Sequence, residues 1–261
     1  MLMAETTMPE TTMPGRCLGV LGGMGPLAGA QFMVRLTQLL PAERDQDHVP
    51  ALLWSDPRVP DRTIGRRLPG AAPAGVPPAG SEADPLPALL RGVRGLAVAG
   101  AGAICIPCNT AHGWFAEMRD AVAPIPILHI VDAAAADLAR QSVPQGPVGL
   151  LATTGTLAMR LYPGRFAERG LEVIEPSAAA MAELVTPAIA AVKAGRVAEA
   201  YIPLAEAARE LMRSGAVAVV LGCTEIPLGI AAGPTLPFPV VDTVDALALA
   251  GIAWWKAGTA S

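Results

Sequence analysis

The feature of this sequence that most restricts its fold is an internal repeat. Three segments of the first half recur in the same order in the second half, pairing 17–27 with 147–157, 100–110 with 215–225, and 124–133 with 237–246. Gly19 aligns with Gly149 and Cys108 with Cys223 in these matches. Parallel strands rich in Val, Ala and Gly resemble one another by composition alone, but a conserved order of three segments favours two related halves.

Strand and helix signals alternate along both halves. Short apolar runs bounded by Gly or Pro are typical of strands buried on both faces, and they read LGVL, AICI, ILHIV, VGLL, AVVL and PVVD. Helical patterns lie between them at 26–40, 84–100 and 201–215. The alternation predicts an α/β fold of two similar domains with mostly parallel sheets, related by pseudo-twofold symmetry, with the active site in the cleft between them.

The repeat also suggests domain boundaries. Residues 1–16 are rich in acids, Thr and Pro, and we expect a disordered extension there. The first domain is predicted to comprise 17–131 together with 241–261, the latter as a helix returning to the first half, and the second domain 132–240. The Pro- and Gly-rich stretch 68–84 is predicted to be a surface loop.

Composition limits the possible partners. The net charge of −4 gives no electrostatic reason to expect nucleic acid. No apolar h-region opens the chain and no uninterrupted apolar stretch is long enough for a membrane span. The four cysteines are therefore expected to be thiols in a reducing cytoplasm, and not a disulfide framework.

Cys108 and Cys223 occupy the positions where chemistry is expected. Each follows a predicted strand and precedes a predicted helix start, and ligands of parallel sheets bind beyond the carboxyl ends of the strands. If the halves face each other, the two sulfurs converge on one cleft from opposite sides. A reaction that removes a proton from one face of a substrate and returns it to the other needs two such groups.

The other cysteines have a simpler interpretation. Cys17 and Cys105 lie within predicted strands and are interpreted as buried apolar side chains. The spacing of Cys105 and Cys108 also permits a redox pair or half of a metal site. In extended chain, however, their α-carbons would stand roughly 10 Å apart, beyond disulfide reach, and the histidines are scattered, so no metal site is predicted.

Several motifs closely resemble the aspartate/glutamate racemase family, from residue 17 onward. They are VLGGMGPLA at 20–28, SDPRVPDRT at 55–63, PCNTAH at 107–112, LLATTGTL at 150–157 and LGCTEIPL at 221–228. The resemblance implies a homodimer of two-domain α/β subunits that works without pyridoxal phosphate or metal. It also implies that Cys108 and Cys223 are the catalytic pair, and that Arg62 and Lys193 hold the side-chain carboxylate of an acidic substrate.

Each carboxylate-binding assignment has an alternative. Arg62 follows Pro60-Asp61 and is otherwise a solvated turn residue, whereas Lys193 is otherwise a cation at the end of a helix. Arg nevertheless offers a planar fork that suits a carboxylate, and Lys supplies a second positive charge.

Small polar residues around the cysteines are further candidates for substrate binding. Asn109, Thr110 and Thr224 follow the cysteines directly, while Met24 and Thr153 occupy matching loops of the two halves. We predict that these residues line the substrate site, although Asn and Thr are equally ordinary helix N-caps. His112 and Glu225 receive no catalytic role from the sequence.

The sequence thus predicts racemisation of an amino acid, most strongly aspartate or glutamate. The alternatives are a racemase of broader specificity, an isomerase or decarboxylase of small dicarboxylic acids that uses one thiol, and a catalytically idle ligand-binding protein. The presence of both cysteines favours racemisation over the last two.

Overall fold

Two parallel β-sheets organise the chain. The computed structural model describes residues 16–63 and 84–259, so the predicted N-terminal extension and surface loop lie almost wholly outside the described residues. The first sheet contains β1 (Cys17–Gly22), β2 (Ala51–Ser55), β3 (Ala101–Cys105) and β4 (Ile127–Leu128). The second contains β5 (Val148–Ala152), β6 (Val173–Ile174), β7 (Ala218–Gly222) and β8 (Val240–Asp242).

The two sheets have the same topology. Their strand orders are β2-β1-β3-β4 and β6-β5-β7-β8, and the strand pairs in both are parallel. The sequence repeat therefore matches β1 with β5, β3 with β7 and β4 with β8. This confirms the predicted fold class of two related α/β halves. The edge strands β2 and β6 were not predicted, because β2 is largely exposed and β6 has only two residues.

Helices connect the strands and cover the sheets. They are α1 (Pro26–Gln38), α2 (Leu86–Val98), α3 (Phe115–Val122), α4 (Ile130–Arg140), α5 (Thr154–Ala158), α6 (Pro163–Ala167), α7 (Ala178–Ala180), α8 (Thr186–Lys193), α9 (Tyr201–Arg213), α10 (Ile226–Ala231) and α11 (Thr243–Thr259). A π-turn at Met181–Val185 joins α7 to α8, and 3₁₀ turns lie at Asp45–Asp47, Thr110–Trp114 and Val197–Ala200.

The helices predicted at 26–40, 84–100 and 201–215 are confirmed as α1, α2 and α9, and the predicted C-terminal helix is confirmed as α11. One strand prediction was too long, because ILHIV forms strand only at Ile127–Leu128. His129 accepts a hydrogen bond from the Val131 N–H through its side chain and so caps α4, which begins at Ile130. The side-chain cap ends the strand where apolar composition alone predicts its continuation.

The repeated glycines have a packing role. A Cβ at Gly19 would lie 2.8 Å from the Ala101 Cβ, and one at Gly149 would lie 2.9 Å from the Leu211 Cβ. Each sheet is thus packed too closely against its neighbours to accept a side chain on its central strand at this point. The same constraint in both halves explains why the sequence match includes these glycines.

The C-terminal helix α11 joins the two halves. It packs against α1 and α4, and the Arg35 guanidinium of α1 donates two hydrogen bonds to Asp245, at 2.5 and 2.6 Å. One continuous apolar core includes both Val20 of the first sheet and Val220 of the second. The predicted limits of the two domains stay a prediction. Within the described residues no helix combines the length and the apolarity needed to cross a bilayer.

Asp242 makes the stability of this junction sensitive to pH. Its Oδ1 accepts the Val244 N–H at 2.7 Å at the start of α11, while burial and, secondarily, the Asp245 charge raise its pKa to about 7. Between about pH 4 and pH 7 the folded chain therefore keeps a proton that the unfolded chain has released, so stability falls as pH rises through this range.

We expect Asp242→Asn to remove this dependence, since an amide oxygen retains the cap. Relative to the variant, the parent should lose roughly 2–4 kcal/mol of unfolding free energy between pH 4 and pH 7. Urea denaturation across that range measures the difference. Asp120→Asn on the exposed surface of α3 is the control, and parallel pH curves for parent and Asp242→Asn would contradict the prediction.

Candidate active site

The two predicted catalytic cysteines face the same small cavity. Cys108 lies three residues beyond β3 and Cys223 directly follows β7, at the carboxyl ends of equivalent strands. Both side chains are buried, with 6% and 4% of their surface exposed, and both line a cavity of about 20 Å³. A space of this size holds about one water molecule.

All nine residues predicted from the sequence line this cavity. They are Met24, Arg62, Cys108, Asn109, Thr110, Thr153, Lys193, Cys223 and Thr224. The cavity also contains three residues to which sequence analysis gave no role, namely Asp61, Thr63 and Glu225. Asp61 and Thr63 flank Arg62 in the PDRT segment, so that motif could have identified them. Glu225 directly follows the Cys223-Thr224 pair.

The Arg62 guanidinium lines the cavity and has one unpaired donor among the residues that the structure describes. Its Nη1 donates to the Pro60 and Val59 carbonyls at 2.9 and 3.1 Å, which fixes the plane of the guanidinium. Its buried Nε has no hydrogen-bond partner among the residues that the structure describes. An edge formed by Nε and Nη2 is the fork that binds a carboxylate through two hydrogen bonds.

Lys193 lies where three cavities meet. It ends α8, is exposed, and lines the central cavity together with two adjoining ones of about 330 and 250 Å³. The larger neighbour also contains Arg62 and apolar side chains that include Leu27 and Leu228. A molecule larger than water reaches the cysteines only if the closed cavity opens toward one of these spaces.

Asn109 belongs to a buried hydrogen-bond chain between the two halves. The Tyr162 hydroxyl donates to Asn109 Oδ1 at 2.5 Å, and Asn109 Nδ2 donates to Thr243 Oγ1 at 3.1 Å. Thr243 in turn donates to the Leu221 carbonyl at 2.8 Å. The residue after Cys108 is thereby connected to the strand that ends at Cys223. An amide nitrogen has two hydrogens, so one Asn109 donor is not used by this chain.

The threonine hydroxyls form a second connection. Thr110 Oγ1 lies 3.0 Å from the hydroxyls of both Thr153 and Thr156, although Thr110 and Thr153 come from different halves. Thr153 also accepts the Thr156 N–H and so caps α5, which confirms the N-cap interpretation for this residue. Thr153 therefore caps α5 and also lines the cavity.

His112 forms a hydrogen bond to the backbone of the Cys108 loop. Its Nε2 accepts the Ile130 N–H at 3.2 Å, so the ring proton is on Nδ1 and is donated to the Cys108 carbonyl at 3.0 Å. Burial lowers the pKa of His112 to about 4, which keeps the ring neutral near pH 7. His112 is not among the residues that line the cavity.

The two thiols have different electrostatic surroundings. Burial raises the pKa of both. The Arg62 charge opposes this effect at Cys108, whereas the Glu225 carboxylate reinforces it at Cys223, whose Sγ lies 3.0 Å from Glu225 Oε2. Lys193 only partly offsets the influence of Glu225.

Cys105 lies outside this arrangement. It is a free, buried thiol whose Sγ is 4.0 Å from the Leu247 carbonyl of α11, in the apolar core. Burial raises its pKa. Across residues 16–63 and 84–259 no group of three His, Cys, Asp or Glu side chains is placed to hold a metal ion.

Comparison with known proteins identifies the family. The Asp/Glu/Hydantoin racemase family profile matches residues 21–251. The chain belongs to this family. Aspartate racemase from Picrophilus torridus is 30% identical and superposes with a TM-score of 0.75 over 93% of this chain and 95% of its own.

Other members of the family are similar over most of their length. A putative Asp/Glu racemase from Yersinia pestis is 25% identical, with a TM-score of 0.70 over 92% of this chain and 99% of its own. The broad specificity amino-acid racemase RacX of Bacillus subtilis is 25% identical over 215 residues, covering 80% of this chain and 85% of RacX. Family membership supports an amino-acid racemase that acts on a small substrate.

The loop that carries Arg62 depends on a glycine of the other half. A Cβ at Gly155 would lie 2.8 Å from the Thr63 Cα, which is backbone and has little room to move. Gly155→Ala should therefore displace Thr63 and Arg62 and lower racemase kcat/KM by about 10-fold or more, with little change in Tm. A Cβ at Gly164 meets no atom within 4 Å, so Gly164→Ala is the matched control. Unchanged kinetics in Gly155→Ala would show that the loop tolerates the displacement.

Proposed function

We propose that the chain racemises an amino acid by exchange of its α-proton between Cys108 and Cys223, without pyridoxal phosphate or a metal ion. Aspartate and glutamate are the proposed substrates. The observation that carries the proposal is the burial of two thiols beyond equivalent strands of two matching sheets, around one cavity. Two groups so placed act on opposite faces of a carbon held between them.

The proposed reaction starts with one thiolate and one thiol. The thiolate removes the α-proton of the substrate and becomes a thiol, and the other thiol donates its proton to the opposite face and becomes a thiolate. The negative charge that develops between these steps spreads into the α-carboxylate, where hydroxyls and backbone N–H groups around Asn109, Thr110 and Thr224 stabilise it. Such stabilisation is required because a thiol, with an ordinary pKa of about 8.5, is a far stronger acid than an α-carbon.

Closure of the site also helps to stabilise the negative charge that develops on the substrate. The cysteines, Asn109, Thr224 and Glu225 are all at least 93% buried, and the space among them has a volume of about 20 Å³. We propose that the cleft opens toward the cavities beside Lys193 to admit substrate and closes for the proton transfers. Water is then excluded while the charges of the site act at short range.

Arg62 and Lys193 support an acidic side chain as the preferred substrate group. The Arg62 Nε, which has no hydrogen-bond partner among the described residues, could form a bidentate site for a carboxylate together with Nη2, and Lys193 supplies a second cation at the same cavity. Two cations are compatible with a site of low water content when an anion lies between them.

A broader specificity is the second candidate. The cavity of about 330 Å³ that adjoins Arg62 has a partly apolar wall formed by Leu27, Pro57, Val192 and Leu228. Such a wall accommodates larger apolar side chains. The similarity to RacX, described as a broad specificity amino-acid racemase, supports the same alternative.

We further propose a cytoplasmic homodimer. The four cysteines are free thiols, as expected in a reducing compartment. Leu27 and Val34 on α1 and Leu53 and Trp54 on the neighbouring β2 are exposed apolar side chains, which a second subunit would cover. Light scattering on the purified protein measures the subunit number directly.

Isotope exchange in D₂O tests the two-thiol reaction. The parent protein should incorporate deuterium at the α-carbon of both enantiomers and interconvert them. Cys108→Ala and Cys223→Ala should each lose racemisation, because each removes the proton exchange on one face. Each variant should retain exchange with only one enantiomer, and the retained enantiomer should differ between the two.

Cys17→Ala, which removes a buried thiol of β1, is the control and should still racemise. Racemisation at the parental rate in Cys223→Ala would withdraw the two-thiol assignment. Release of CO₂ without an enantiomeric amino acid would instead support the decarboxylase alternative, and binding without any exchange would support an idle binding protein.

Substrate selection is tested with Arg62→Ala and Lys193→Ala. Arg62→Ala should weaken kcat/KM for aspartate or glutamate by roughly 2–5 kcal/mol, the range for breaking a buried charge pair. Lys193→Ala should weaken it less, because Lys193 is exposed and its charge is screened by water. The loss with alanine should be much smaller, because alanine has no second carboxylate. Equal losses for all three amino acids would show that these cations support the fold or the α-carboxylate, and not the side chain.

A further inference from the structure

We infer that Tyr162 is a positioning residue of the proposed active site, which orients the side-chain amide of Asn109 so that an N–H group is presented to the α-carboxylate of the substrate. The inference rests on the proposed function and adds to it a residue that neither the motifs nor the cavity lining identifies. Tyr162 lies in the second half, directly before α6, whereas Asn109 directly follows Cys108 of the first half.

The Thr243 hydroxyl determines which end of the Asn109 amide is the nitrogen. It donates its one hydrogen to the Leu221 carbonyl at 2.8 Å, because a carbonyl can only accept. The Thr243 oxygen can therefore only accept a hydrogen bond from Asn109, and the atom that faces it at 3.1 Å must be Nδ2. The amide oxygen Oδ1 consequently faces Tyr162.

The Tyr162 hydroxyl completes this orientation by donating to Oδ1 at 2.5 Å. The tyrosine is fully buried and packs edge-on against Phe166, with 5.2 Å between the ring centroids. Burial and, secondarily, the charge of Cys223 raise the pKa of Tyr162, so the phenol keeps its proton and remains a donor. A half-turn of the amide would place Oδ1 against the Thr243 oxygen, which has no hydrogen left to donate. The two hydroxyls therefore hold the amide in one orientation.

This orientation leaves one Nδ2 hydrogen for a ligand. Asn109 lines the cavity, whereas Tyr162 and Thr243 do not. Only 2% of Asn109 is exposed, and among residues 16–63 and 84–259 the second Nδ2 hydrogen has no acceptor. A carboxylate can only accept hydrogen bonds, so an amide that presents its nitrogen binds it and an amide that presents its oxygen repels it.

The α-carboxylate is the substrate group that fits this donor. Asn109 adjoins Cys108, which acts on the α-carbon in the proposed reaction, and the α-carboxylate is bonded to that carbon. Arg62 is proposed to bind the other carboxylate of an acidic substrate. A displaced Asn109 donor would also lose its interaction with the negative charge that develops on the α-carboxylate. Tyr162 thus influences the reaction without contacting the substrate.

The orientation of the amide can be measured directly, because Asn109 is the only asparagine of the sequence. Protein produced with asparagine labelled by ¹⁵N in its side chain therefore gives a single pair of side-chain N–H signals by NMR. On addition of aspartate to Cys108→Ala/Cys223→Ala, which cannot turn over by the proposed reaction, one signal of the pair should shift strongly. The other, from the hydrogen bound to Thr243, should shift much less.

Tyr162→Phe keeps the packed ring and removes only the hydroxyl. Both Asn109 signals should move without any ligand, and their exchange with D₂O should become about 10-fold faster, because Oδ1 has lost its donor and the amide rotates more easily. Tyr201→Phe is the matched control. It removes the only other tyrosine hydroxyl, which donates to the Pro234 carbonyl at 2.8 Å, and it should leave the Asn109 signals unchanged.

Binding of aspartate separates positioning from general support of the fold. In the Cys108→Ala/Cys223→Ala background, Tyr162→Phe should raise the calorimetric Kd by about 10-fold, the effect of one lost hydrogen bond to a charged group. When Asn109→Ala is already present, Tyr162→Phe should raise the Kd little further, because the amide that it orients is gone. A tyrosine that only supports the fold would raise the Kd by the same factor in both backgrounds.

Thr243 provides a second test if Tyr162→Phe does not fold. Thr243→Ser keeps the hydroxyl that accepts from Nδ2 and should preserve the Asn109 signals, whereas Thr243→Val removes that acceptor at nearly the same volume and should shift them. Equal shifts in the two variants would show that packing, and not the hydroxyl, sets the amide orientation, and would overturn the inference.

The outcomes separate this inference from the proposed function. Asn109 signals that are the same in the parent and Tyr162→Phe would overturn the role of Tyr162, whether or not the protein racemises. Signals that move in Tyr162→Phe, in a protein whose parent neither binds nor racemises an amino acid, would retain the Tyr162–Asn109 hydrogen bond and reject the proposed function instead.

Discussion

Two thiols on separate sheets can serve one substrate only if their loops are positioned relative to each other, and buried hydrogen bonds connect the two halves at this point. Tyr162, Asn109, Thr243 and the Leu221 carbonyl form an unbroken chain from one cysteine loop to the strand of the other. Each of these polar groups is buried, so losing one partner leaves another unsatisfied at a cost of about 1–3 kcal/mol. The penalty makes the relative position of the loops specific, beyond what apolar contact alone provides.

The apolar core and the polar site are consequences of the same packing. Each sheet has its own apolar cluster that leaves no room for a side chain at Gly19 or at Gly149, and a further core that includes residues of both sheets joins the halves. Desolvation at that junction disfavours a charge on either thiol. The few charged side chains that line the cavity therefore strongly influence the ionisation of the two thiols, because charges interact most strongly where water is absent.

Much of this architecture can be predicted from the sequence because duplication and buried parallel strands leave strong local signals. The matched cysteines and Gly-rich loops predict two equivalent sheets, and the motifs predict nine residues that line one cavity. The edge strands β2 and β6 lack such signals, since an exposed or two-residue strand has no continuous apolar run. The end of β4 was missed because it depends on a hydrogen bond from a backbone N–H to the His129 side chain.

The roles of individual polar residues depend on distances that no motif contains. Asn109 and Thr153 were predicted as substrate contacts with N-capping as the alternative, and in the structure Thr153 caps a helix while Asn109 connects the halves. His112, three residues after Asn109, does not line the cavity and donates a hydrogen bond to the Cys108 carbonyl. Proximity to a cysteine in the sequence thus identifies residues near the site. Only their hydrogen-bond partners show which of them position the cysteine loops and which are available to bind a substrate.

Asymmetry within a duplicated fold is compatible with a reaction whose equilibrium constant is one. Substrate and product differ only in handedness, so an enzyme with two identical halves would place its single proton on either thiol with equal probability. Half of such molecules would hold the wrong form for a given enantiomer. In this chain the surroundings of the two thiols differ, since burial raises the pKa of both, the Arg62 charge opposes that effect at Cys108, and Glu225, 3.0 Å from the Cys223 sulfur, reinforces it at Cys223. For the proposed reaction, unequal populations of the two forms must be offset by unequal rates, because an equilibrium constant of one requires equal kcat/KM values for the two enantiomers.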